Sequence, residues 1–173
     1  GKSPVVTDGG LTLAESGAII EYLVERHGGG QLAPAPGTPA RLRYTYWMHY
    51  AEGSAMPPLL LKLVFDRIEA GPMPFFVKPF ARAIAGRAKS SFILPQITRH
   101  LDYMESELAR FRWFAGDEFS AADIQMSFPL EIAVKRAGLG PSRPRLMDFL
   151  GRIHARPAYQ RALERGGKYD LLS

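Results

Sequence analysis

The chain has 173 residues, of which 46% are hydrophobic and 23% are charged, a balance typical of soluble globular proteins. It contains no cysteine, which excludes disulfides, thiolate metal ligands and a cysteine nucleophile within it, and we predict no bound metal. The net charge of +5 comes from scattered lysines and arginines that lack the clustered stripe of a nucleic-acid interface, so we expect no nucleic-acid partner.

Two further features bear on location. No apolar run approaches the roughly 18 residues that a membrane-spanning helix needs, so we expect no membrane partner. The first residues, Gly-Lys-Ser-Pro, lack the architecture of a signal peptide, which favours a cytoplasmic protein.

The N-terminal segment predicts a β-hairpin followed by a helix. Residues 4–7 and 11–13 are β-prone, and an Asp-Gly-Gly turn separates them. Apolar periodicity predicts a helix over 15–26, which a His-Gly-Gly-Gly run ends. Because a two-stranded hairpin is not stable alone, it must pack against other elements.

A linker rich in Gly, Pro and Ala follows at 29–37, and everything after it is predicted to be helical. Helices are predicted over 38–53, 59–69, 74–110, 120–137, 145–155 and 157–165. Prolines at 57–58, 79 and 95 are expected to interrupt or bend these helices.

The second half of the 74–110 segment carries apolar residues at alternating spacings of three and four. This pattern predicts a core-facing seam in a helical bundle. Its members are Leu94, Ile97, Leu101, Met104, Leu108 and Phe111.

Ser120 and Asp123 stand at the spacing of a capping box at the start of a helix. Both groups would then be engaged with the backbone, so we predict a structural role for them and no catalysis.

Glu15 and Ser16 lie where the hairpin meets the first helix. The unpaired N–H groups of a helix's first turn hold a carboxylate well, and a serine adds one donor. An acidic side chain suits an ammonium group. The pair could therefore hold both charges of an amino-acid head group; the alternative is an ordinary N-cap with an acid that compensates the helix dipole.

The order of these motifs resembles the glutathione transferase family. The matching stretch begins Lys-x-Pro-Val-Val and continues through a glycine turn, Leu-Thr-Leu and Glu-Ser-Gly-Ala-Ile-Ile, over residues 2–23. Phe-Ala-Gly at 114–116 followed by Ser-Ala-Ala-Asp-Ile at 120–124 is similar to the family's Gly-x-x-x-Ser-x-A-D-I signature. The acidic and aromatic segment at 47–54 is similar to a subgroup found in fungi and bacteria.

The resemblance implies a mostly α protein. Residues 1–28 would be the remnant of a thioredoxin-like α/β domain, reduced to a β-hairpin plus a helix, and 29–37 the linker. Residues 38–173 would form the family's all-helical C-terminal domain. The upstream part of the thioredoxin-like domain carries the residue that stabilises the thiolate in the family, so we expect an N-terminally truncated chain whose catalytic residue is unknown.

The resemblance also assigns a glutathione site. Pro4 is expected to be the family's cis-proline, with Ser3 offering its main chain to the cysteinyl part of glutathione. Glu15 and Ser16 would hold the γ-glutamyl ammonium and carboxylate, and Lys2 would lie near the glycyl carboxylate.

Four side chains of the first bundle helix could face the cleft between the two parts. They are Tyr44, Trp47, His49 and Glu52, interpreted either as the wall of the electrophile site or as core.

The function implied by the resemblance is conjugation or reduction of small hydrophobic electrophiles with glutathione as co-substrate. The alternative is a non-catalytic binding or regulatory module on the same fold. The family commonly dimerises through the first bundle helix and the thioredoxin-like domain, so the resemblance implies a homodimer that involves residues 44–50 and their neighbours.

Overall fold

The computed structural model describes residues 4–166. Two strands precede eight α-helices in the described chain, and two short π-helical turns, Ala51–Ala55 and Lys89–Ile93, connect consecutive helices. The elements are β1 (Val5–Asp8), β2 (Leu11–Ala14), α1 (Ser16–His27), α2 (Pro39–Tyr50), α3 (Met56–Ala70), α4 (Lys78–Ala88), α5 (Leu94–Arg110), α6 (Ala121–Arg136), α7 (Pro144–His154) and α8 (Pro157–Gly166). The predicted fold class, a hairpin and helix followed by a helical domain, is confirmed.

The hairpin is antiparallel, with Val5 opposite Ala14 and Asp8 opposite Leu11. Gly9 and Gly10 connect the strands with positive φ angles of 53° and 89°, which glycine adopts without strain. The Asp8 carboxylate accepts a hydrogen bond from the Tyr22 hydroxyl at 2.8 Å and lies 3.2 Å from His27 Nε2. These contacts attach the turn of the hairpin to the far end of α1.

Two of the prolines in the long helical segments, Pro57 and Pro95, are accommodated by the two π turns, whereas Pro129 lies inside α6. Proline lacks an N–H and its ring clashes with the carbonyl four residues earlier, so a regular helix cannot run through it unchanged. Pro57 and Pro95 each lie in the first turn of an α-helix that directly follows a π turn. The irregularity expected near each proline is confirmed, and it precedes the proline. The segment predicted as helix over 74–110 begins its first α-helix only at Lys78.

The helix α6 lies at the centre of the bundle and packs against α1, α2, α3 and α7. The α5 seam packs into the same core through Ile97, Leu101, Met104 and Leu108, as predicted. The two ends of the predicted seam differ. Leu94 is exposed, because it directly follows a π turn that changes the phase of the helix faces.

The other end of the seam, Phe111, lies past the last turn of α5 in extended conformation. Its ring is only partly buried and faces the Arg43 guanidinium, whose Cζ lies 3.9 Å from the ring centroid. Phe111 therefore makes a cation–π contact at the edge of the bundle and does not extend the seam.

The predicted linker is attached to the helical bundle along its length. The Leu32 carbonyl accepts a hydrogen bond of 2.8 Å from the N–H of Ala121, the first residue of α6. Leu32 has a positive φ of 66°, which is uncommon for a branched residue, and its side chain packs on the core. Thr38 ends the linker by capping α2, where its Oγ1 accepts from the Arg41 N–H at 3.1 Å.

The predicted capping box of Ser120 and Asp123 is present at the start of α6. The Asp123 carboxylate is completely buried and accepts hydrogen bonds from the Ser120 N–H at 2.9 Å, the Ser120 hydroxyl at 3.1 Å and the Phe114 N–H at 2.9 Å. Burial raises the pKa of Asp123 to about 6 because the loss of hydration outweighs the hydrogen bonds that favour the charged form. The group is still mainly a carboxylate at neutral pH.

Replacing Asp123 with Asn is expected to lower the free energy of unfolding by about 2–3 kcal/mol, because one amide N–H would then point at a backbone N–H that has no other acceptor. Urea denaturation at neutral pH measures the effect. Asp148→Asn is the matched control, since that carboxylate is exposed and accepts from Arg152 on the same helix, and such pairs contribute little. Equal stability of the two variants would contradict the role of Asp123.

Candidate glutathione site

Glu15 connects β2 to α1 in a strained conformation. Its φ of 74° and ψ of 119° are unusual for a residue with a side chain, and its carbonyl accepts the first hydrogen bond of the helix from the Ile19 N–H at 3.0 Å. Strain of this kind costs about 1–3 kcal/mol and is concentrated at functional sites. The backbone here aims the Glu15 side chain and the first turn of α1 in a direction that an ordinary helix start would not give.

Ser16 joins three elements of the fold. Its hydroxyl donates to the Glu52 carboxylate at 3.2 Å and accepts from the Gln125 amide at 3.1 Å. The same Gln125 nitrogen lies 3.1 Å from the same Glu52 oxygen, which closes a triangle. The hairpin–helix unit, the π turn and α6 therefore meet at one hydroxyl.

The π turn Ala51–Ala55 carries Glu52 to this position. The Glu52 carboxylate lies at the N-terminus of α1, where the unpaired N–H groups carry partial positive charge. Single π turns inserted between α-helices occur frequently at functional sites, because they turn one side chain out of the regular helical phase.

Gln125 was not among the candidates from the sequence. The only local signal is its place two residues after Asp123, the capping-box acid, which fixes where α6 begins. Its partners are 109 and 73 residues away in the chain. No pattern of neighbouring residues indicates such a contact.

Of the other predicted ligand contacts, Pro4 lies within the described residues, at the open end of the hairpin. Pro4 is exposed and directly precedes Val5, which pairs with Ala14, so Pro4 and Glu15 are the next residues on the two strands. Ser3 and Lys2 lie outside the described residues.

The four candidate wall residues separate into two groups. Tyr44 and Trp47 are fully buried, and the Trp47 ring packs 4.5 Å from Phe114 between centroids. They belong to the core, which is the second of the two interpretations that the sequence left open for them. His49 and Glu52 are exposed, and only Glu52 contacts Ser16.

Within residues 4–166, no group of three or more His, Asp or Glu side chains is arranged to hold a metal ion. In the same part of the chain, no helix has the length and apolar character that crossing a membrane requires.

Known proteins similar to this chain share its architecture. Glutathione S-transferase 3 of Schizosaccharomyces pombe is 38% identical over 131 residues, which are 75% of this chain and 53% of that protein. Glutathione S-transferase 1 of Saccharomyces cerevisiae is 27% identical and matches 88% of this chain and 66% of its own length. The chain thus spans about half to two thirds of the length of these curated relatives.

Solved structures agree over nearly the whole chain. A glutathione S-transferase from Actinobacillus pleuropneumoniae superposes with a TM-score of 0.75 at 28% identity, over 99% of this chain and 72% of that one. A sphingomonad glutathione S-transferase complexed with glutathione gives a TM-score of 0.70 at 26% identity, over 95% of this chain and 73% of that one.

Two family models match the sequence. The glutathione S-transferase N-terminal domain matches residues 1–25, and the C-terminal domain of the same family matches residues 71–157, half of the chain. The chain belongs to the glutathione S-transferase family.

Proposed function

We propose that this protein binds glutathione through its γ-glutamyl end and uses it to conjugate or reduce small hydrophobic electrophiles. The observation that carries the proposal is the convergence of the strained Glu15, the first turn of α1 and the Ser16 hydroxyl at one exposed point. A carboxylate fits the helix N-terminus with the Ser16 hydroxyl, and an ammonium group fits Glu15. An α-amino acid head group presents these two charges together.

Glu52 and Gln125 support the proposal as positioning residues. The Ser16 hydroxyl must turn toward a bound carboxylate to donate to it, and the Gln125 amide already fixes the oxygen from the other side at 3.1 Å. Glu52 contributes negative charge beside the head group, which favours an ammonium group over a second carboxylate.

The apolar face for the electrophile is assigned to α3, which begins directly after the π turn that holds Glu52. Leu60, Val64 and Ile68 are exposed there at four-residue spacing and form one stripe. The stripe supports a hydrophobic second substrate. No residue of the described chain is assigned to activation of the thiol, so the choice between a catalyst and a non-catalytic binding module rests on measured turnover.

Ser16→Ala is expected to weaken glutathione binding about tenfold or more, because a hydrogen bond to a charged group contributes roughly 1.5–3 kcal/mol. Glu15→Gln should have a similar effect. Isothermal titration against glutathione and against cysteinylglycine measures both. Affinity for cysteinylglycine, which lacks the γ-glutamyl group, should not change.

Glu25→Gln is the matched control, since Glu25 is an exposed acid at the other end of α1. If Ser16→Ala and Glu15→Gln bind glutathione as tightly as this control, the assigned site is wrong.

Gln125→Met is expected to weaken glutathione binding several-fold and to speed amide hydrogen exchange in the first turns of α1, because it removes about 1 kcal/mol of hydrogen bonding from the contact between α6 and α1. Ser127→Ala on the same helix is the control, because among residues 4–166 the Ser127 hydroxyl bonds only the Ile124 carbonyl. Unchanged exchange and affinity in Gln125→Met would refute the positioning role.

We also propose a homodimer that forms through the outer face of α2. Tyr44, Trp47 and Tyr50 of the predicted 44–50 region are buried within the chain, so the face rests on the exposed Leu42 and Tyr46. Leu42→Glu is expected to shift the protein to a monomer in light scattering, because it places a charge in an apolar contact. Leu23→Glu, at an exposed position on α1, should leave the mass unchanged, and a monomeric parent protein would rule the dimer out.

A further inference from the structure

The connection between α3 and α4 and the first half of α4 carry the most exposed aromatic side chains of the described chain. Phe75, Phe76 and Phe80 are 86%, 63% and 72% exposed, and Ile84 is 68% exposed. Phe80 and Ile84 are four residues apart and lie along one face of α4, and Phe76 lies in the turn that precedes this helix. We call residues 72–87 the aromatic tip.

Helix α4 has one apolar face that is exposed and another face that packs on the protein. The opposite face of α4 is anchored by Ala85, which is completely buried. The Phe75 and Phe76 rings contact each other edge-to-face, with centroids 5.6 Å apart, and they have no other ring contact within residues 4–166. On ordinary protein surfaces, exposed apolar residues are scattered singly. A contiguous exposed patch of apolar residues therefore marks an interaction surface.

The charge around the aromatic tip has one sign. No Asp or Glu occurs between Glu69 and Asp102. Of the cations in this stretch, Arg87 lies on the same face of α4 as Phe80 and Ile84, whereas Lys78 and Arg82 lie roughly 160° around the helix from Phe80. None of these three cations has an ion pair with a residue in the 4–166 range.

Lys89 behaves differently, because its ammonium binds Asp66 at 2.9 Å and Glu69 at 2.5 Å. The nearest acids on α3 are therefore engaged at the base of the tip and do not neutralise its cations.

A segment that presents phenylalanines and an isoleucine on its exposed side, and that carries unpaired Lys and Arg but no acidic residue, has the features of an element that lies in the interface of a membrane. The phenyl rings can enter the boundary between headgroups and acyl chains, while the cations bind anionic headgroups. A second copy of the same surface fits less well. In a two-fold symmetric contact each patch meets itself, and the like charges of Lys78, Arg82 and Arg87 would repel.

We propose that the aromatic tip binds the surface of bilayers that contain anionic phospholipids, as a reversible peripheral contact that needs no spanning helix. The proposal does not depend on glutathione binding, because Ser16 and its partners belong to other elements. If the protein does not bind membranes, the proposed glutathione-dependent function is unaffected.

The test is flotation of the purified protein with vesicles of phosphatidylcholine alone and of phosphatidylcholine mixed with phosphatidylserine. Binding is expected only to the mixed vesicles and should weaken at high salt. Arg82→Gln combined with Arg87→Gln should reduce the partition coefficient of the protein between vesicles and water roughly tenfold to thirtyfold. Each cation near an anionic surface strengthens membrane binding by about a factor of five. Phe75→Ser, Phe76→Ser and Phe80→Ser together should abolish binding.

The matched control combines Ile124→Ser, Phe128→Ser and Arg161→Gln, which remove exposed apolar and basic groups from α6 and α8. Circular dichroism spectra and thermal unfolding curves like those of the parent protein verify that each variant is folded. Equal binding to both vesicle types, or equal binding by the tip variant and the control, would overturn the proposal. The proposal would also be overturned if the parent protein did not float with vesicles and its dimer dissociated when the three phenylalanines were replaced. A second copy of the chain would then be the partner of the aromatic tip.

Discussion

The buried carboxylate of Asp123 is the interaction on which the rest of the arrangement depends. It binds two backbone N–H groups and one hydroxyl, and so fixes both the start of α6 and the turn that holds Phe114. Because α6 lies at the centre of the bundle, its start determines the rotation of every residue along it. Gln125 reaches Ser16 only because the helix begins at this position and in this phase.

The two π turns have a related effect on the outer helices. Each allows a proline to follow without a break between the two α-helices that it connects, and the first also turns Glu52 toward α1. A regular α-helix through residues 39–70 would present a different face at position 52. The five residues of the first π turn, Ala51–Ala55, therefore both accommodate Pro57 and position Glu52.

Much of the fold could be predicted from the sequence, because its signals are local. The hairpin, α1, the middle of the α5 seam and the capping box all follow from spacing and turn chemistry over a few residues. Glu15 and Ser16 could also be selected, since a helix start after a hairpin is visible in the sequence. Gln125, the positive φ of Glu15 and the burial of Tyr44 and Trp47 could not be predicted from the same signals, because they result from contacts between segments far apart in the chain. The aromatic tip could not be predicted for a similar reason, since the sequence does not tell whether a phenylalanine in or next to a helix faces the core.

The hydrogen bond between the Leu32 carbonyl and the Ala121 N–H has a consequence for how the chain comes apart. It attaches the linker to the first residue of α6, next to the group that Asp123 stabilises, while Val24 of α1 packs into the same apolar core. The hairpin and its helix have no separate core within the described chain, so they cannot persist once α6 frays at its start. Within the described chain, the hairpin with α1 and the helical bundle therefore form one cooperative unit.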